Sequence, residues 1–316
     1  MFAYNFCLAS SAVDDFRRLL GSSVEVKEME KALDSISRSS WLSARLLTVQ
    51  NHKQACLLHA DALMVPQDAT RASVVLNENI RLDGEFPIAG PQTAIFLRAF
   101  DRGIPKVVKI PHEKLKATLE VRFCEENRKR IENEELALVP VRLLKLSGHY
   151  VSQRTPERKT LSYGLLMPFY AATLGDLPPP VDSEFASLVY NRIIRSISFM
   201  EQVGWVHGDV KPSNILISSD GNVWLGDYGS AVRATDLGDF LGGTPRYQCA
   251  EVTVADLGRF DRVGLVLTLL HLHGAISPVN NLSVDSLNAL IQMIDAANIE
   301  ESVKHLYRSA IGPTNS

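Results

Sequence analysis

Little in this sequence marks a secreted, membrane-spanning or nucleic-acid-binding chain. Four cysteines, Cys7, Cys56, Cys124 and Cys249, are scattered over 316 residues without a C-x-x-C pair, so neither a zinc site nor a disulfide framework is indicated. Reduced thiols fit a cytoplasmic or nuclear location. An excess of one charge is also lacking. With 33 Lys and Arg against 36 Asp and Glu, the formal charge is −3, and no overall field draws the chain to nucleic acid or to an anionic membrane. The longest apolar run, "VGLVLTLLHLHGAI" from Val263, holds two histidines and falls short of the about 20 residues a membrane span requires. It reads as a buried helix. "MFAYNFCLASSA" at the start has no basic residues ahead of its apolar stretch, which argues against a secretory signal. No repeat or low-complexity tract is visible.

What is present is ordinary globular material: 46% apolar and 22% charged residues, enough for a sizeable core. Residues 1–85 read as helical pieces followed by one or two strands, such as "ASVVLN", and carry no motif. From Phe86 the texture changes to short strand-like runs, "TAIFLRAF" and "KVVKI", which predict a strand pair. "HEKLKATLEVRFCEENRKRIENEELALV" follows with apolar residues spaced among charges, the pattern of an amphipathic helix. The basic cluster at 128–130 is read as its solvated face. "VPVRLLKLSGHYV" and "LSYGLLMPFY" predict further strands, and "FASLVYNRIIRSISFMEQVG" a helix that stops at Gly204. Strand-rich then helix-rich order predicts an α+β protein of two lobes, with a hinge near residues 167–172.

One stretch carries chemistry. In "WVHGDVKPSNILISSDGNVWLGDYGSA", residues 205–231, Asp209 and Asn214 lie five positions apart and Asp227 follows after the apolar runs "ILI" and "VWL". A hairpin turning at "SSDGN" brings Asn214 and Asp227 together at its strand ends. Two oxygen ligands placed there suit Mg²⁺, with Asp209 beside them as a base.

The motifs "HGDVKPSN", "DYG" and "GTPRYQCAE" stand in the order and approximate spacing of the protein-kinase signature, and the sequence resembles that family from Phe86 to Gly274. The resemblance implies a two-lobed fold, with an N-lobe over about 86–170 and a helical C-lobe over about 171–316, reduced because the tail is short. Residues 1–85 are then an extension of unknown role. It further implies ATP and Mg²⁺ as cofactors and serine or threonine residues of a protein as substrate. Asp209 would accept the substrate proton, Lys211 offset charge on the γ-phosphoryl group, and Asn214 and Asp227 hold the metal. Thr244 would hydrogen-bond near Asp209 and Lys211. His207 and Tyr228 would join an apolar stack between the lobes, Tyr replacing the usual Phe.

For the nucleotide, the resemblance puts Lys109 of "KVVKI" on the phosphates. Glu125 and Glu126 are both candidates for its helix partner, and Glu126 is preferred because an insertion follows. In "IAGPQTAIFL", Gly90 takes the middle glycine of the phosphate loop and Ile95 the valine position. Ile88 and Thr93 replace the other two glycines. Met167 would stand at the entrance of the hinge, backbone groups of Pro168, Phe169 and Tyr170 would face adenine, and Leu216 would also bind the nucleotide. Three departures stand out: Gly208 for arginine, Ala250 for proline, and Arg259 where an aspartate is usual five residues before Gly264. They keep a non-catalytic scaffold of the same fold open as an alternative, and "HGD" keeps open a small-molecule phosphotransferase. Gly208 also has no side chain to pair with a phosphorylated loop. The segment from Asp227 to Glu251 is therefore expected to be held by its own packing. No oligomeric state is implied.

Overall fold

The computed structural model describes residues 71–76, 80–82, 94–111, 114–132, 136–151, 158–170, 172–177, 179–218, 221–276 and 283–312. The first lobe is an antiparallel sheet of six strands: β1 (Arg71–Leu76), β2 (Ile80–Leu82), β3 (Ala94–Asp101), β4 (Ile104–Pro111), β5 (Arg142–Val151) and β6 (Arg158–Pro168). Their spatial order is β1-β5-β6-β4-β3-β2. The expected strand pair is the β3–β4 hairpin. Its two-residue turn, Arg102 and Gly103, has positive φ at both positions, 51° and 82°, which is what a tight hairpin following the strand twist requires.

The domain boundary expected at residue 86 does not hold. β1 pairs with β5 from Arg71↔Val151 to Leu76↔Leu146, and β2 pairs with β3. Both strands lie before residue 86 and belong to the lobe's sheet. Residues 1–70 lie outside the described residues.

Helix α1 (Lys114–Glu126) starts two residues after β4 ends, and α2 (Arg128–Ile131) follows. Leu119, Phe123, Cys124 and Ile131 are buried. Chain 137–139 then leaves the first lobe to pair with the second: Val139 N–H donates to Leu225 O at 2.9 Å, and Leu225 N–H to Ala137 O at 2.7 Å.

β6 ends at Pro168, and β7 (Ala172–Thr173) already belongs to the second lobe, where it pairs with β9 (Ile215–Ile217). β9 in turn pairs with β10 (Val223–Leu225), and β8 (Trp205–Val206) with β11 (Val232–Arg233). Residues 169 and 170 lie on the link between the lobes.

Four helices build the second lobe among the described residues. α3 (Ser183–Gln202) is capped by Asp182, which accepts from Phe185 N–H at 2.8 Å, and it ends at Gly204 with φ 73°. α4 (Gly258–Leu272) is the predicted buried helix, covered on nearly every side and packed on α3. α5 (Leu287–Ala296) and α6 (Glu301–Ile311) complete the lobe. Glu251 accepts from Leu287 N–H at 2.9 Å, so this carboxylate seats the start of α5. No described helix is long and apolar enough to cross a membrane.

Candidate active site

The site forms where the β9–β10 hairpin, the loop after β8, β4 and α1 meet. β9 and β10 pair in register, and Gly226 N–H donates to Asn214 O at 2.9 Å. The two ends that carry Asn214 and Asp227 are thereby held together.

Asp209 lies between three partners. Its Oδ1 accepts from Thr244 N–H at 2.9 Å and from the Thr244 hydroxyl at 2.8 Å. Its Oδ2 accepts from Lys211 Nζ at 2.6 Å and from Asn214 Nδ2 at 3.1 Å. Lys211 also donates to Thr244 Oγ1 at 2.7 Å. The motif around Gly243 and Thr244 is thus tied to the Asp209 loop 35 residues upstream.

Asn214 spends its amide hydrogens on the Asp209 backbone oxygen, at 2.8 Å, and on the Asp209 carboxylate. Among the described residues no group donates to its amide oxygen. That oxygen and the Asp227 carboxylate, whose side chain is 47% exposed, are hard donors of the kind Mg²⁺ takes alongside phosphate oxygens. The residues fit the metal.

Asp227 adopts φ 62° and ψ 67°, a left-handed conformation that costs an L residue about 1–2 kcal/mol and that Asp tolerates better than most. Its Oδ1 accepts from Lys109 Nζ at 2.7 Å. Partial desolvation raises the Asp227 carboxyl, but the Lys109 ammonium outweighs it and the group settles at about 2. Lys109 is itself 6% exposed; burial lowers its pKa, and two carboxylates hold it charged above the usual lysine range.

The second of those carboxylates is Glu120, not Glu126. Lys109 Nζ donates to Glu120 Oε2 at 2.7 Å, and Glu120 is fully buried, with Oε1 unpartnered among the described residues. Burial pushes the Glu120 carboxyl up, with Lys109 pulling it back. Glu125 and Glu126 are exposed, and Glu126 faces Arg122 and Arg233. The reason is the short two-residue link between β4 and α1, which leaves the helix's second turn, rather than its last, opposite Lys109. A signal existed: Ala117, Glu120, Cys124 and Ile131 share one face at helical spacing, and Glu120 is its only acid.

A second missed residue is Asp261. Its carboxylate accepts from His207 N–H at 2.6 Å and from Gly208 N–H at 2.9 Å, one helical turn before Gly264. Arg259, where the sequence reading looked for this aspartate, instead donates to Ile311 O at 2.8 Å and closes the end of α6.

His207 and Tyr228 are fully buried and stack in line with Phe123, with centroids 5.6 Å (His207–Tyr228) and 4.6 Å (Phe123–Tyr228) apart. His207 Nε2 meets Gly226 O at 3.0 Å while Nδ1 accepts from Asp209 N–H at 3.3 Å. Both contacts fit the Nε2–H tautomer. The Tyr228 hydroxyl donates to Leu225 O at 2.7 Å. At Gly229 an added Cβ would stand 3.3 Å from Lys116 Cβ, so the absence of a side chain lets α1 approach.

Of the residues expected on the nucleotide side, Ile95 lies in β3, next to Phe96, the register partner of Lys109. Met167 is buried in the core that joins the lobes, and Pro168, Phe169, Tyr170 and Leu216 are half-buried. Gly90 lies outside the described residues.

A family model described as Protein kinase domain matches residues 177–260. Mitogen-activated protein kinase kinase 10 of Arabidopsis thaliana is 39% identical over 66 residues, 21% of this chain and 21% of that protein. Serine/threonine-protein kinase MRCK gamma of Mus musculus is 36% identical over 83 residues, 25% of this chain and 5% of that protein. Serine/threonine-protein kinase PEPKR2 of Arabidopsis thaliana is 27% identical over 117 residues, 36% of this chain and 24% of that protein. The matches span a quarter or less of these relatives. These matches and the two-lobed α+β fold both point to the protein kinase superfamily.

Proposed function

We propose that the chain is an ATP- and Mg²⁺-dependent protein kinase that phosphorylates serine or threonine hydroxyls of protein substrates. The observation that carries the reading is the convergence of Lys109, Asp209, Lys211, Asn214, Asp227 and Thr244 on one site, each through a charged or polar partner. Asn214 and Asp227 would hold the metal, which when bound neutralises charge on the transferring phosphoryl group. Lys109 sits on the same carboxylate and would orient the phosphates. Asp209 would take the substrate hydroxyl proton, and Lys211, already 2.6 Å from it, would offset charge where the phosphoryl group arrives. Protein rather than metabolite substrates are favoured because Thr244 joins the loop that carries "GTPRYQCAE" to Asp209. That loop offers a surface on which a polypeptide could lie.

The test is transfer from labelled ATP to dephosphorylated casein, with choline and an aminoglycoside as metabolite acceptors. Casein should be labelled, and Asp209→Asn should lower kcat by about 10²–10⁴-fold, the usual worth of a general base, while nucleotide binding persists. Asp227→Asn should remove the Mg²⁺-dependent part of the thermal shift given by ATP. Binding without transfer in the wild type would leave the scaffold reading in its place.

A further inference from the structure

Gly208 leaves the site without the cation that could hold a phosphorylated loop. Its φ is 80°, and an added Cβ would lie 2.7 Å from both the Phe240 ring and Ser230 O. The loop packs straight onto the glycine. Even so, α1 is seated so that Glu120 reaches Lys109. Something other than a phosphate must fix the helix.

The end of α1 supplies an answer. Glu126 Oε2 accepts from Arg233 Nε at 3.2 Å and from Arg233 Nη2, while Glu126 Oε1 accepts from Arg122 Nε at 3.3 Å. Arg122 Nη2 pairs with Asp236 Oδ2 at 3.1 Å. Four charges thus alternate between α1 and the segment at and just after β11. Both guanidinium groups also stand over the ring of Trp205, Arg122 at 5.9 Å and Arg233 at 5.5 Å from its centroid. Trp205 is buried and is the register partner of Arg233. Phe123, next to Arg122, meets the same ring edge-on at 5.4 Å.

A lone exposed ion pair contributes about 0–1 kcal/mol. Here the two arginines are held by a buried ring as well as by carboxylates, so their geometry is fixed before the pairs form. Glu120 lies six residues before Glu126, under two turns of the same rigid rod. Whatever anchors one end sets the other.

Resting on the kinase reading above, we propose that Arg233 is a positioning residue: with Glu126 and Arg122 it clamps α1 to the loop after Asp227, keeping Glu120 on Lys109 without phosphorylation. Arg233 touches no reacting group. Its effect passes through α1.

The experiment uses the full chain with Arg233→Glu, Glu126→Arg, the double swap, Arg233→Lys, and Arg308→Gln as a control that breaks a part-exposed pair with Asp295 between α5 and α6. Hydrogen exchange of residues 114–126 is read first. Each single reversal should speed exchange there by about tenfold, and the swap should recover part of that loss, because it rebuilds the pair between 126 and 233 but sets a cation against Arg122 and takes the guanidinium off Trp205. In the transfer assay kcat/KM should follow the same pattern, Arg233→Lys should be intermediate, and phosphatase treatment should leave the wild-type rate unchanged. Unaltered exchange in both single variants, or a folded swap that exchanges as fast as the faster single variant, overturns the proposal. A large loss of wild-type rate on phosphatase treatment also overturns it. If a single variant does not fold, Arg233→Lys and the swap decide by the same exchange readout. Absence of transfer by a wild type whose helix exchange responds as described counts against the kinase reading alone.

Discussion

At the scale of single residues, the site depends on a few buried polar groups whose partners are fixed. Asp261 is 1% exposed, and its two oxygens satisfy the N–H groups of His207 and Gly208. Asp261→Ala would strand both donors in the core. At about 1–3 kcal/mol for each, urea denaturation should show a loss of roughly 2–6 kcal/mol, whereas Arg259→Ala, which frees one carbonyl at a helix end, should cost about 1 kcal/mol or less. Comparable losses would mean that Asp261 is not the anchor. Gly208 makes a companion case: Gly208→Ala meets both a positive φ and a 2.7 Å contact, and should destabilise by more than about 1 kcal/mol by the same measurement. Asp227 sets a pH limit. Because its folded pKa, about 2, lies below the ordinary 3.8, its pairing stabilises the fold above the ordinary value and the contribution fades as pH falls through about 2. Metal-dependent nucleotide binding should therefore show no loss from this group on acidification from roughly pH 8 to pH 5.

At the scale of elements, what could be read in the sequence was what is local. Asp209, Asn214 and Asp227 share one loop and one hairpin, so spacing alone brings them together. Glu120 and Asp261 act across 11 and 54 residues. Their partners are decided by where a helix begins and how it packs, and counting along the chain does not fix either. The glycine at 208 was legible as a missing side chain, but not that Phe240 fills the space. Tyr228 belongs to this scale too, since its hydroxyl ties the stack to β10 and approaches Val139 O at 3.2 Å. Tyr228→Phe removes one buried hydrogen bond and retains the ring. It should cost about 1 kcal/mol in denaturation and leave nucleotide binding intact; a loss of binding would show that the hydroxyl, not the ring, holds Asp227 in place.

At the scale of the whole molecule, strand propensity in "RASVVL" was visible, but its membership of the lobe was not, because antiparallel pairing with β5 joins residues 70 to 80 positions apart. The texture change near residue 86 marks a different feature from the edge of the fold. β1 covers the outer edge of β5, and β2 covers β3 at the opposite edge. A chain beginning at residue 71 keeps both strands; a chain beginning at residue 86 loses both and opens two rows of unpaired backbone groups, which invite edge-to-edge association. Ile80, buried at the sheet's end, would be lost as well, a transfer contribution of about 1.5–3 kcal/mol by itself. The shorter chain should therefore melt lower and elute as larger species at concentrations where the chain from residue 71 remains unassociated. Equal melting temperatures and equal elution for the two would show that β1 and β2 are dispensable to the lobe and return its boundary to residue 86.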